Sequence, residues 1–215
     1  MAGLQGKKLG YTEPGGGESQ LVSAAIAEAG LVVNKTITLV PIGPAGPQSL
    51  IALQNDTVQA YSSSFPDVAV LAAQGVEWVD ITPEKYSNVP GTCTVTTEEV
   101  LKTEDGMREA TALATAWVRG QYYAIENSDA SLELVCETLQ SACENKPVAT
   151  ALFHEAMNLI TPPEGQRPGQ PGLSSWQTVV EILAANGTVS AELDIAPLTS
   201  GEHVKAVFDA AYGGR

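Results

Sequence analysis

Three short stretches of this sequence combine residue types able to hold a small polar molecule. The first is Thr12–Ser19, TEPGGGES. Consecutive glycines let a backbone approach a ligand closely. A helix starting just after them offers amides with no intrahelical acceptor, and its dipole favours an anion or a polar oxygen. Thr12, Gly15, Gly16, Gly17, Glu18 and Ser19 are therefore candidate ligand contacts. The plain alternative is a flexible turn capped by Ser19 or Glu18. The second stretch, Ile42–Gln48, is another small-residue turn, equally readable as loop punctuation. The third, Tyr61–Asp67 (YSSSFPD), places three hydroxyls between two aromatics and an acid. Tyr61 and Phe65 can pack on an apolar or aromatic ligand, and Ser62, Ser63 and Ser64 can bond its polar atoms. Asp67 suits a cationic group or, equally, the first turn of a helix.

No catalytic set accompanies these loops. A G-x-S-x-G elbow and a Gly-Lys-Ser/Thr phosphate loop are both missing. The serines have no evident general base, since His154 and His203 stand in distant helical segments. The spacing of Cys93, Cys136 and Cys143 does not suggest zinc, so neither a metal nor a cofactor is expected. On one continuous helix Cys136 and Cys143 would stand about 10 Å apart, beyond disulfide reach; a turn between them permits a bridge. Trp78, Trp117 and Trp176 read most simply as core anchors.

The elements that must position these loops alternate. Lys7–Thr12, Thr36–Pro41, Gln59–Ser63 and Val76–Ile81 have strand character. Glu18–Gly30, Gln48–Gln54 and Pro66–Gln74 read as helices, two of them stopped by Gly30 and Gly75. Strands joined through helices make βαβ crossovers and a mainly parallel sheet. All three loops then lie at the carboxyl ends of strands, where open α/β sheets bind ligands. After Pro83 the character changes. Tyr86–Gly91 reads as a connector and Thr92–Thr97 as a lone strand. Helices follow over 106–126, 130–142, 147–160, 174–185 and 202–212, with Asp129 and Asn145 as candidate caps. Thr161–Gly172 holds four prolines and three glycines in twelve residues and must be an irregular loop.

The chain has 215 residues, enough for one domain or two small lobes. Its formal charge of −14 argues against a nucleic-acid partner and against a polybasic membrane patch. Residues 1–60 carry only −1 of that charge, leaving −13 for the rest. No run of apolar residues is long enough to span a bilayer, and no signal peptide precedes the first strand.

The run from Leu4 to Ala73 resembles the second lobe of solute-binding proteins of ABC importers. The nearest group is the one for sulfonates, nitrate, taurine and thiamine precursors, which has the type 2 periplasmic-binding fold. The resemblance rests on the L-x-G-K-K-L-G strand at Leu4–Gly10, the glycine/serine entrance at Gly15–Ser19, and an A-L-Q…V-x-A run ending at Ala60. Gly91 through Trp117 and Tyr122 to Asn127 is similar to the return into the first lobe. The resemblance implies an α/β fold with one complete βαβ lobe, residues 1–85. Residues 86–215 then supply the connector, the returning strand and the largely helical C-terminal part of the other lobe. It also implies that the chain enters at the hinge, lacking the signal peptide and the first half of lobe one.

The function so implied is binding of a small organic or anionic solute in an interlobe cleft, for an ABC importer permease outside the cytoplasm, without enzymatic activity. A second reading is an interaction protein that completes its sheet by dimerisation or strand exchange. A weaker third is an enzyme like that of the thiamine-pyrimidine branch, whose active-site histidine and cysteine-rich motif these loops lack.

Overall fold

The computed structural model describes residues 1–87, 89–91, 93–162, 164–170 and 172–213. Three strands, β1 (Lys8–Tyr11), β2 (Thr38–Pro41) and β3 (Ala60–Ser62), form a parallel sheet in the order β2-β1-β3. The register sets Tyr11 level with Pro41 on one side and Ser62 on the other, so the strands end together.

That order follows from two crossovers running in opposite directions. From β1 the chain passes through α1 (Glu18–Glu28) to β2, then returns through α2 (Pro47–Gln54) to β3, on the far side of β1. Right-handed crossovers in opposite directions must lie on opposite faces of the sheet. Side-chain alternation along β1 records this. Leu9 packs with Val22 and Ile26 of α1. Gly10 points the other way, toward Ile42 and Val58, which share a core with Ala52 of α2. A Cβ on Gly10 would lie 2.6 Å from Ile42 Cδ1 and 3.2 Å from Val58 Cγ2, so this layer packs closely against the bare backbone of glycine. Gly30, after α1, has the left-handed φ of 72° that terminates a helix.

α3 (Phe65–Ala73) follows β3 directly, with Pro66 and Asp67 in its first turn. The expected fourth strand, Val76–Ile81, is not a strand, and the described residues 93–97 of the expected strand Thr92–Thr97 are not one either; Thr92 lies outside the described residues. β-branched residues make a strand only beside an edge that accepts their hydrogen bonds. β1 is already flanked on both sides, and among the described residues no further strand joins β2 or β3. Trp78, Val79, Ile81 and Val95 are accordingly left exposed.

The rest is helical: α4 (Glu98–Leu101), α5 (Glu104–Glu126), α6 (Ser128–Thr138), α7 (Lys146–Ile160), α8 (Leu173–Ala185), α9 (Ala196–Ser200) and α10 (Glu202–Tyr212). Asn145 caps α7, accepting from the Val148 amide, whereas Asp129 lies in the first turn of α6 and does not cap it. The helix expected over 130–142 ends at Thr138; a 3-10 turn, Gln140–Cys143, folds back and closes a Cys136–Cys143 disulfide. A break in the helix is what brings the two sulfurs within reach.

α3 packs along α7, and α10 along α5. Val118, Ala211 and Tyr212 form the core between α5 and α10. The described residues of the proline-rich loop 161–172 are irregular, as expected; Pro163 and Pro171 lie outside the described residues. The loop is pinned: Arg167 stands 4.7 Å above the Tyr212 ring, and the Tyr212 hydroxyl donates to the Pro168 carbonyl at 3.2 Å. The front of the chain joins the rear through a small core of Ala25, Tyr86 and Ile182. Among the described residues no helix is long and apolar enough to cross a membrane.

Candidate functional site

The carboxyl ends of β1 and β3 carry most of the candidate residues, and the structure divides them into two groups. Around β3, two of the side chains expected to meet a ligand, Tyr61 and Asp67, are engaged with the protein. The Tyr61 hydroxyl donates to the Gly43 carbonyl at 2.8 Å. Asp67 Oδ1 accepts from the Ala45 amide at 2.7 Å. Both bonds hold the β2–α2 loop, and Ser49 in the first turn of α2, fully buried, accepts from the Gly46 amide of that loop at 2.9 Å. Ser63 Oγ donates weakly to the Ser64 carbonyl, at 3.4 Å. Phe65 is 37% exposed at the start of α3, open to a ligand or to nothing. Burial, and secondly the negative charge of Asp67, push the Tyr61 phenol up to about 12, with Glu18 adding to the effect. Tyr61, Asp67 and Glu18 are thus electrostatic neighbours across the β1–β3 edge.

Glu18 is the residue that links the groups. Its carboxylate folds back over the glycine loop and accepts from the Thr12 amide, at 3.2 Å, and from the Thr12 hydroxyl. Its other oxygen would lie 2.8 Å from a Cβ on Gly16. The entrance of α1 therefore already holds a carboxylate of its own, which offsets the helix dipole there. The amides of Gly17 and Glu18 donate to no described group, and the Ser19 hydroxyl is likewise unpaired.

Gly17 and Ser19, with their free amide and hydroxyl, line a cleft of about 400 Å³, which Glu18 does not line. Gly15–Gly17 and Ser19 form one wall. Trp176, Val179 and Leu183 of α8 form the opposite wall, and Val89–Gly91 close one end. The volume falls within the range of small-ligand sites, roughly 300–1,000 Å³. Neither a lysine nor an arginine lines it. Thr12, Tyr61, Ser62–Ser64, Phe65 and Asp67 do not line it; they stand at the neighbouring edge of the sheet.

The tryptophans correct the sequence expectation. Trp78 and Trp117 are each 57% exposed and anchor no core. Trp176 is half-buried on the wall of the cleft, a role sequence reasoning missed. The signal available was the apolar stripe Trp176, Val179, Leu183, which sets one face of α8 at helical spacing. Among the described residues no group of histidine, cysteine, aspartate and glutamate is arranged to hold a metal ion.

The family model described as the NMT1-like family matches residues 2–140. That span contains the whole sheet, the glycine entrance and the 89–91 connector, but not Trp176. No curated protein and no solved structure matches the chain. Members of the matched family are generally solute-binding proteins of ABC importers and mainly non-enzymatic. With more than half of its residues covered by that match, and a parallel α/β sheet in keeping with it, the chain belongs to the NMT1-like family.

Proposed function

We propose that this chain is the substrate-binding component of an ABC importer and takes a small organic solute in the cleft between α1 and α8. The observation that carries this reading is the pairing of unpaired polar donors with an aromatic wall. Gly17, with its free amide, and Ser19, with its free hydroxyl, share with Trp176 a space of ligand size. Such a site suits a molecule with a flat apolar part and an acceptor oxygen or nitrogen at one end.

The charges favour a neutral ligand over a bare anion. The carboxylate of Glu18 occupies the turn that would otherwise attract one, and no basic side chain lines the cleft. Among the solute classes of the resembled group, a pyrimidine fits these terms better than nitrate or a sulfonate. Residues 1–85 then act as the ligand-facing lobe. Val89–Gly91 act as the connector about which the α8 wall moves when a ligand is taken up. The Cys136–Cys143 bridge suits an oxidising compartment outside the cytoplasm, where the importer's permease would receive the solute.

The test is a thermal-shift screen with pyrimidines, amino acids, taurine and nitrate, followed by calorimetry on any hit. The reading expects a neutral heteroaromatic to raise Tm, and Trp176→Ala to weaken its binding at least tenfold while the fold is kept. No shift with any of these at millimolar concentration overturns it.

A further inference from the structure

Away from the cleft, one face of α5 forms an open groove bordered by Ala210 of α10, with a volume of about 550 Å³. Its floor is made by small side chains at the middle of the face, Thr111, Ala112, Thr115 and Ala116. Glu104 marks one end and Arg119 the other, fifteen residues or about 22 Å apart. Two observations mark this face. Glu104 has no ion-pair partner among the described residues. And the only charges on the face are one acid at its start and two arginines beyond it, in a chain of net charge −14.

We infer that this face of α5 pairs with the same face of a second copy of the chain, antiparallel, about a two-fold axis passing between Thr111 and Ala112. Its sequence is self-complementary in that register. Glu104 of each copy meets Arg119 of the other at both ends. Met107 comes opposite Ala116, a large side chain against a small one. The small residues at the centre let the helices approach closely, and a two-fold interface uses one patch twice. The parallel arrangement would set Glu104 against Glu104 and Arg119 against Arg119, so charge selects the antiparallel one.

The arginines are free to serve. Arg119 spends one donor on the Ala210 carbonyl, at 2.6 Å, and a guanidinium has five. Arg108 is held by an exposed pair with Asp105 at 2.8 Å, a partner it can share or exchange. A strip 22 Å long and one helix wide buries about 250 Å² per copy, well below the roughly 800 Å² of a standard interface. The dimer is therefore weak and concentration-dependent. It does not depend on the cleft, so it stands or falls separately from solute binding.

Sedimentation velocity over a concentration series up to the millimolar range tests it. The wild type is expected to shift reversibly from monomer to dimer. Glu104→Arg, exposed in the first turn, sets like charges at both ends and should weaken the dimer at least tenfold. Arg119→Glu should do the same, and the double charge swap E104R/R119E should restore association. Arg119 also bonds α10, so circular dichroism checks the fold of its variants, and Glu104→Arg decides the matter alone if they unfold. A wild type that stays monomeric throughout, a Glu104→Arg variant that dimerises unchanged, or a folded double swap that fails to restore association overturns the inference.

Discussion

The Tyr86 hydroxyl donates to Glu28 Oε2 at 2.6 Å, tying the 3-10 turn Glu84–Tyr86 to the last turn of α1. The ring is buried against Ala25 and Ile182, so this one side chain joins the sheet-bearing front of the molecule to α8. The α8 wall of the cleft is positioned through it. Glu28 lies at the exposed end of the bond, and hydrogen bonds to charged groups contribute about 1.5–3 kcal/mol, with partly exposed ones at the low end. Tyr86→Phe keeps the packing and removes the bond. It should lower unfolding free energy by about 1.5 kcal/mol in a denaturant titration, with an unchanged m-value. A loss near zero would show that the bond positions nothing.

The same bond sets a pH limit. Burial first, and then the bond to Glu28, push the Tyr86 phenol up to about 12, and Tyr61 is raised to about 12 as well. For a phenol raised above its unfolded value of about 10, the stabilisation is complete below pH 10 and is lost as pH rises through 12. Spectroscopic titration of tyrosinate should therefore show a late component near pH 12, overlapping the onset of unfolding. The component should shrink in Tyr86→Phe and again in a Tyr61→Phe/Tyr86→Phe double variant.

Gly10 sits where the layer on the α2 face presses on the central strand. Gly10→Ala would place a methyl 2.6 Å from Ile42 Cδ1. Ile42 can give way at its tip, but Val58 stands 3.2 Å off on the other side. Overpacking of this kind costs about 1–3 kcal/mol. The combined change Gly10→Ala with Ile42→Val removes the obstructing methyl. It should be more stable than Gly10→Ala alone, which chemical denaturation of the three proteins would show.

What the sequence disclosed depended on how local the cause was. Helix α10 was legible residue for residue, and Gly30 and Gly75 marked real helix ends, because periodicity and stop residues act within a few positions. The order β2-β1-β3 agrees with the parallel crossovers expected from strand–helix alternation. Val76–Ile81 misled because its β-branched residues report a preference, whereas a strand also needs a partner elsewhere. The cleft was half legible. The glycine entrance was readable from its own residues, but Trp176 faces it from 159 positions beyond Gly17, a juxtaposition that packing of α8 on α1 creates. Asp67 and Tyr61 have the chemistry of ligand contacts, and the structure bonds them to the Ala45 amide and the Gly43 carbonyl, two backbone groups that no local pattern points to.

The bridge between Cys136 and Cys143 leaves Cys93 as the free thiol. Thiol counting should give one reactive group per native chain and three after denaturation and reduction. Burial pushes the Cys93 thiol up from its ordinary range, so its labelling at neutral pH should be slower than that of a free peptide cysteine. Closing a loop this short contributes about 2 kcal/mol on the chain-entropy account. Cys136→Ser/Cys143→Ser should lose about that much. If native protein already shows three thiols, the bridge is absent in solution and the case for an oxidising compartment goes with it.

Glu18 decides what the entrance of α1 attracts. Its carboxylate takes the Thr12 amide and hydroxyl and supplies a negative charge at the helix start. Glu18→Gln keeps an acceptor oxygen for Thr12 but removes the charge. The helix terminus then regains its preference for anions, a term of about 0.3–1 kcal/mol or roughly two- to fivefold in affinity. Affinity for a neutral ligand should change little, since the free Gly17 amide and the Ser19 hydroxyl remain. Calorimetry with a neutral hit and a carboxylate of the same shape separates the two effects. The carboxylate should gain on the variant relative to the wild type while the neutral compound stays level. If both gain equally, Glu18 acts by blocking the cleft rather than by its charge.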